Sequence, residues 1–373
     1  MTLYDPAEFE PLIEEPWDVE RVRAGVRGIV ADADRAFDPD ALWPAHDWDG
    51  WQAALPMKNL YVGAAGVVWA LDELQRRGHA ETTVDLPVAA LRTLELWRAE
   101  PDWMGNEIRP EPPESALLTG ETGILLVAHR LDLDVAADLE ARIRANVANE
   151  TEELFWGTPG TLLAAANAGL DDVARESADA LAARRADDGL WTQRLWGTEF
   201  RSIGASHGAA ANVRALLHVD DPRNEALRRE TAALLAERAT IEDGLANWED
   251  GRVQWCVGAA GIVVCTWDYL DEELLLAAAE LIWRAGAHRD EKGAGICHGT
   301  AGNGHALLKT FARTGDERWL ECARAFAVHA LAQAARQRDQ RGKGRYSLFT
   351  GDPGTALFAA SCLDADAAYP LLD

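Results

Sequence analysis

Two kinds of helical pattern alternate along this chain. The first places apolar residues at helical spacing opposite a face of Arg and Glu, and predicts outer helices over residues 18–37, 83–99, 135–149, 172–185, 222–239, 271–285 and 316–335. Several of these open on Asp or Asp-Pro, which supplies an N-cap and suits the positive end of a helix. The second kind is shorter, rich in small residues and apolar almost all round, so it predicts buried helices.

Each buried stretch follows a Gly-x-x-Gly step. The steps run Gly63 to Gly66, Gly120 to Gly123, Gly157 to Gly160, Gly208 to Ala211, Gly258 to Gly261, Gly299 to Gly302 and Gly351 to Gly354. The fourth carries alanine in place of its second glycine. Their spacing of roughly 40 to 60 residues is that of helix-pair repeats. No strand-like alternation persists. The predicted fold is therefore all-α, an α/α toroid of seven inner and seven outer helices, forming one domain over residues 1–373. The glycines permit φ > 0 and close packing where the chain enters an inner helix. In such a ring the inner-helix ends converge on one face, so residues beside the glycines become neighbours.

Composition narrows the function. With 48% hydrophobic residues and 15 Trp, a large core is expected. A net charge of -26 repels phosphates, which excludes nucleic-acid and anionic-membrane partners. Lysine is confined to Lys58, Lys292, Lys309 and Lys343, a pattern that fits a high-GC genome or a high-salt cytoplasm. Five cysteines do not make a secreted disulfide framework. Residues 1–16 lack the apolar core of a signal peptide, and no stretch is long and apolar enough to span a bilayer. A cytoplasmic protein is expected.

Candidate chemistry lies beside the steps. Cys256 precedes Gly258 by two residues, and Cys297 and His298 directly precede Gly299. Two thiolates and one imidazole would make a three-ligand zinc set with one open position, the mark of a catalytic site. Cys256 alone would read as a small buried hydrophobe; the shared slot in successive repeats is what raises it. Cys265, Cys322 and Cys362 lie among apolar helical neighbours and read as core. His207 precedes Gly208 as His298 precedes Gly299. Glu153 lies four residues before Gly157 and Arg252 four before Cys256, positions that would equally suit solvated caps. His305 reads either as cavity lining or as core. Arg336, Arg338, Arg341, Lys343 and Arg345 form a basic cluster, read as a solvated loop or as an attractor for a substrate carboxylate or phosphate. Residues 106–113 read as a surface loop.

With Ser206-His207-Gly208, Trp255-Cys256-Val257-Gly258 and Cys297-His298-Gly299 in order among seven glycine steps, the chain resembles the lanthionine synthetase C-like family over nearly its whole length. The resemblance implies a seven-fold α/α toroid and a zinc ion held by Cys256, Cys297 and His298. It implies acid/base roles for His207 and Glu153, with Arg252 beside them. The implied reaction adds a cysteine thiol to dehydroalanine or dehydrobutyrine, within one peptide or from glutathione. The implied partners are a dehydrated peptide or dehydroamino acid-containing protein, glutathione, and a dehydratase or kinase-lyase that makes the acceptor. The family's peptide cyclases carry Asp where this chain has Glu153, while Glu occurs among the eukaryotic relatives. Two other readings stay open: a zinc-containing peptide- or glutathione-binding protein without turnover, and a carbohydrate- or terpenoid-processing α/α barrel. The last needs paired acids or an Asp-rich motif in the cavity, whereas Asp32, Asp34, Asp38 and Asp40 fall at an outer-helix end.

Overall fold

The computed structural model describes residues 3–49, 56–102, 114–195 and 197–373; the expected loop at 106–113 lies outside them. Fourteen α-helices occur among the described residues. In chain order they are α1 (Val19–Ala36), α2 (Ala64–Arg76), α3 (Leu86–Ala99), α4 (Glu121–Arg130), α5 (Ala136–Asn146), α6 (Thr158–Asn167) and α7 (Asp171–Ala183). There follow α8 (Ala209–Leu216), α9 (Asn224–Arg238), α10 (Ala259–Thr266), α11 (Glu272–Ala285), α12 (Thr300–Thr314), α13 (Glu317–Arg341) and α14 (Asp352–Asp364). Odd-numbered helices form the outer layer and even-numbered ones the inner layer, the α/α toroid that the pattern predicts. α1 packs on α14, so the first and last helices close the ring.

Outer helices use the expected caps. Asp18, Asp85, Asp271 and Asp316 each accept a hydrogen bond from a backbone N–H in the first turn of their helix. Inner helices use none: every inner N-cap is a glycine without a side-chain bond. Their orphan N–H groups are instead satisfied by the preceding loop, which folds back over the first turn. Ala64 and Ala65 donate to Met57 and Lys58 carbonyls, Ala209 and Ala210 to Ser202 and Ile203, and Thr300 and Ala301 to Gly293 and Ala294. A loop so close leaves no space for a Cβ. One built on Gly157 would lie 1.8 Å from the Thr151 carbonyl oxygen. Close approach is thus the main reason for glycine here; among the seven N-caps only Gly258 also uses a positive φ, at 96°.

Neighbouring loops are stitched together by a ring of backbone hydrogen bonds. The amide of Tyr61 donates to Leu118, Leu118 to Phe155, Leu154 to Ser206, Ser206 to Cys256, Cys256 to Cys297, Cys297 to Phe349, and Phe349 back to Tyr61. Seven bonds, at 2.8 to 3.4 Å, therefore close a circle at one mouth of the toroid. This circle makes distant loops neighbours.

From the opposite side, the C-terminal residues fill the ring. Asn167 Nδ2 donates to the Leu371 carbonyl, Lys309 pairs with Asp373 at 2.7 Å, and Tyr369 Oη donates to the Ile296 carbonyl at 3.0 Å. Tyr369 also stacks on Trp255 at 5.2 Å. Its ring thus supports the two loops that carry Cys256 and Cys297.

Two expectations need correction. Short strands do occur: β1 (Phe9–Glu10), β2 (Gln193–Leu195), β3 (Thr198–Phe200), β4 (Thr240–Glu242), β5 (Leu245–Asn247) and β6 (Ala287–His288). They form three two-stranded antiparallel pairs, β1 with β6, β2 with β3 and β4 with β5. At two or three residues, none is long enough to show a period of two. The basic cluster, moreover, is not a solvated loop. α13 runs through Arg341 and stops at Gly342 in the left-handed region, and every cation of the cluster has an acidic partner.

Candidate functional site

In each repeat, the residue two before the first glycine sits on the hydrogen-bonded circle. Tyr61, Leu118, Phe155, Ser206, Cys256, Cys297 and Phe349 occupy that slot in turn. Because the Cys256 amide donates directly to the Cys297 carbonyl, at 3.2 Å, the two thiols lie side by side. His298 follows on the same loop. The two Sγ atoms and an imidazole nitrogen all lie within 4.8 Å of one another. Tetrahedral zinc, with bonds of about 2.3 Å to sulfur and 2.0 Å to nitrogen, holds ligand atoms about 3.3–3.8 Å apart. The donor set and its spacing therefore fit a metal ion after small side-chain rotations.

Electrostatics favour the ligand states of His298 and Cys256 and oppose that of Cys297. Burial, then the charge of Arg345, pushes the His298 imidazole down to about 3, so it is neutral and able to bind metal at physiological pH. Cys256 is held below the ordinary thiol range, first by a hydrogen bond with the Cys297 thiol and then by Gln254, while Arg252 adds positive charge. Burial and the neighbouring Cys256 push Cys297 up. Cys256 is thus the more acidic thiol of the pair, and Cys297 would have to give up its proton for a metal to bind.

His207 occupies the slot before Gly208, and its Nδ1 lies 2.7 Å from Glu153 Oε2. Glu153 is fully buried, and its carboxylate also accepts from the amides of Phe155 and Trp156. Three donors on one carboxylate fix its orientation and keep the proton of neutral His207 on Nδ1, so that Nε2 carries the lone pair. Arg252 is half-exposed and forked onto Asp250, with Nε at 2.8 and 2.9 Å from the two carboxylate oxygens. It still lies within electrostatic reach of Cys256.

His298 opens onto a cavity of about 340 Å³, lined also by Trp48, Asp49, Tyr61, Gln254, Lys292 and Arg345. Arg345 is buried in a fork on Asp49, whose other contacts are Thr350 Oγ1 and Ser347 Oγ. His305 is not part of this cavity. It is fully buried against Phe358 and Tyr369 in the core.

Residues 54–372 match the family described as "Lanthionine synthetase C-like protein". The chain belongs to that family. As a lanthionine synthetase C-like protein, it is similar to the LanC-like protein GCL1 of Arabidopsis thaliana, 29% identical over 179 residues, covering 43% of this chain and 40% of that one. It is also similar to a Danio rerio protein named Glutathione S-transferase LANCL1, 31% identical over 131 residues, covering 32% of this chain and 31% of the relative. The matched stretches thus span less than half of those relatives. Nisin cyclase has the same fold, with a TM-score of 0.60 at 15% identity, covering 92% of this chain and 94% of the cyclase. No helix among the described residues is long and apolar enough to cross a membrane.

Within this lanthionine synthetase C-like site, the slot rule finds Cys256, Cys297, His298 and His207, all of which the fold brings to one mouth. Three cavity residues are not among its candidates. Tyr61 holds the same slot as the cysteines in the first repeat, a signal that was present in the spacing. Gln254 lies two residues before Cys256. Their contacts are to sulfur: Tyr61 Oη lies 3.2 Å from Cys297 Sγ, and Gln254 Nε2 lies 2.9 Å from Cys256 Sγ. Asp49 carries no sequence signal, since its role comes from Arg345, which lies far along the chain.

Proposed function

We propose that this protein is a zinc-dependent enzyme that adds a cysteine thiol to a dehydroalanine or dehydrobutyrine residue, forming a thioether. The observation that carries the reading is the convergence of two sulfurs and an imidazole nitrogen within 4.8 Å, beside the hydrogen-bonded His207–Glu153 pair. Zinc held by Cys256, Cys297 and His298 would supply a Lewis acid whose open position lowers the pKa of an incoming thiol.

The remaining work falls to side chains. The thiol gives up its proton to Nε2 of His207, a sulfur–carbon bond forms at the β-carbon, and the carbon–carbon π pair moves onto the acceptor as an enolate. His207, as imidazolium, returns a proton to the α-carbon from Nε2. Glu153 orients that ring through Nδ1 and stabilises its charged form. Arg252 adds positive charge at the rim, where it stabilises thiolate and enolate alike.

The acceptor is a dehydrated peptide or a protein bearing a dehydroamino acid, made by a dehydratase or kinase-lyase. A second reading takes glutathione as the thiol donor; the name of the Danio rerio relative favours testing it. The test is mass spectrometry of a dehydrated peptide that contains one free cysteine, incubated with protein and zinc. Intramolecular addition leaves the mass unchanged and removes a thiol that an alkylating reagent would otherwise mark. A parallel reaction, in which a cysteine-free acceptor meets glutathione, gains one glutathione mass. A peptide that stays fully alkylatable, together with an acceptor of unchanged mass, overturns the proposal.

A further inference from the structure

We infer that Tyr61 and Gln254 are positioning residues that relieve negative charge on the two ligand sulfurs, each through one hydrogen bond, and so allow the centre to accept a third thiolate. The inference rests on the zinc-centred reading above and deepens it. Two thiolates balance a divalent cation. A substrate thiolate brings a third negative charge into a site where Cys297 is buried and where Arg345 is already taken up by Asp49. Extra charge in such a place is costly unless fixed dipoles meet it.

The structure supplies one donor for each sulfur. Tyr61 Oη lies 3.2 Å from Cys297 Sγ, and its ring is wedged edge-on to Phe155 and tilted against Phe349. Those two rings belong to the flanking part of the hydrogen-bonded circle, so the hydroxyl is held in place by residues of three repeats. Gln254 Nε2 lies 2.9 Å from Cys256 Sγ, and the side chain is 3% exposed. A thiolate only accepts, so the amide nitrogen, not its oxygen, faces the sulfur. Tyr61 and Gln254 both line the cavity beside His298. A hydrogen bond to a ligand sulfur lowers its electron donation and leaves the metal a stronger acceptor for the next ligand.

Cobalt(II) serves as the probe, because its thiolate charge-transfer band reports electron density on sulfur. The band is recorded for the wild type, Tyr61→Phe and Gln254→Leu at one fixed pH, and N-acetylcysteine amide is then titrated in. Tyr61→Phe keeps the packed ring and removes only the donor. The expected result is a band at longer wavelength in each variant and a thiol affinity about 3–10-fold weaker for each lost donor. Wild-type and variant bands that superimpose, with equal thiol affinities, overturn this inference and leave the zinc reading standing. A wild-type protein with no thiolate band overturns both. If one variant fails to fold, the other decides alone.

Discussion

His207 Nδ1 lies 2.7 Å from Glu153 Oε2, and that carboxylate is also held by the amides of Phe155 and Trp156. One buried anion therefore shapes the third repeat's loop and orients the imidazole of the fourth. His207→Ala is expected to keep its metal, because none of the ligands is touched, and to lose about 10²–10⁴-fold in turnover. Metal content and turnover measured on the same sample check this; normal turnover would remove His207 from the mechanism.

Substitutions at Glu153 should separate its two roles. Glu153→Gln keeps an acceptor near the imidazole but loses the charge, and should lower turnover about 10–100-fold with little change in fold. Glu153→Ala also abandons the two loop amides and should cost about 1–3 kcal/mol of stability. Chemical denaturation of both variants, beside their turnover, distinguishes the cases.

The seven-fold circle depends on backbone contacts too tight for side chains. A Cβ at Gly302 would lie 2.2 Å from the carbonyl oxygen of Ile296, the residue before Cys297. Gly302→Ala should therefore displace the ligand loop, costing roughly 3 kcal/mol or more and weakening metal binding. Gly28, mid-way along α1, has nothing within 4 Å of a built Cβ. Gly28→Ala should instead stabilise by about 0.5–1 kcal/mol. Unfolding curves for the pair test whether backbone closeness, rather than glycine in general, is what the ring requires.

Much of this was legible because the repeat imposes a register. Cys256 and Cys297 share a slot, and so do His207 and His298; a toroid turns shared slots into shared space. Tyr61 shares the cysteines' slot as well, yet tyrosine seldom marks a metal site, so spacing alone passed over it. The Arg345–Asp49 pair and the stacking of Tyr369 on Trp255 join segments with no common register. Only the three-dimensional packing reveals them. The basic cluster misled for a related reason. Its cations look unpaired along the chain, whereas α13 sets Arg336 against Asp290 and Arg338 near Asp352.

Acid should unfold the protein through its buried imidazoles. Burial pushes His46 and His288 down to about 4 and His305 to about 3. Their folded pKa values lie below the unfolded value near 6.5, so the unfolded chain binds more protons as pH falls from that point. Stability is then fully present above about pH 6.5 and declines from there toward pH 4, by roughly 2 kcal/mol per histidine at pH 5. His305→Met removes one of these groups from the core and should flatten the decline. Denaturation midpoints at pH 7.5 and pH 5 measure the slope; parallel curves for wild type and His305→Met would show that His305 does not contribute.

The proposed metal centre is tested most directly by X-ray absorption on the protein after incubation with zinc. The expected shell is two sulfurs at about 2.3 Å and one imidazole nitrogen at about 2.0 Å, with a third sulfur on addition of a cysteine peptide. A shell of oxygen and nitrogen alone, or a spectrum unchanged when Cys256 and Cys297 are replaced by alanine, would contradict it.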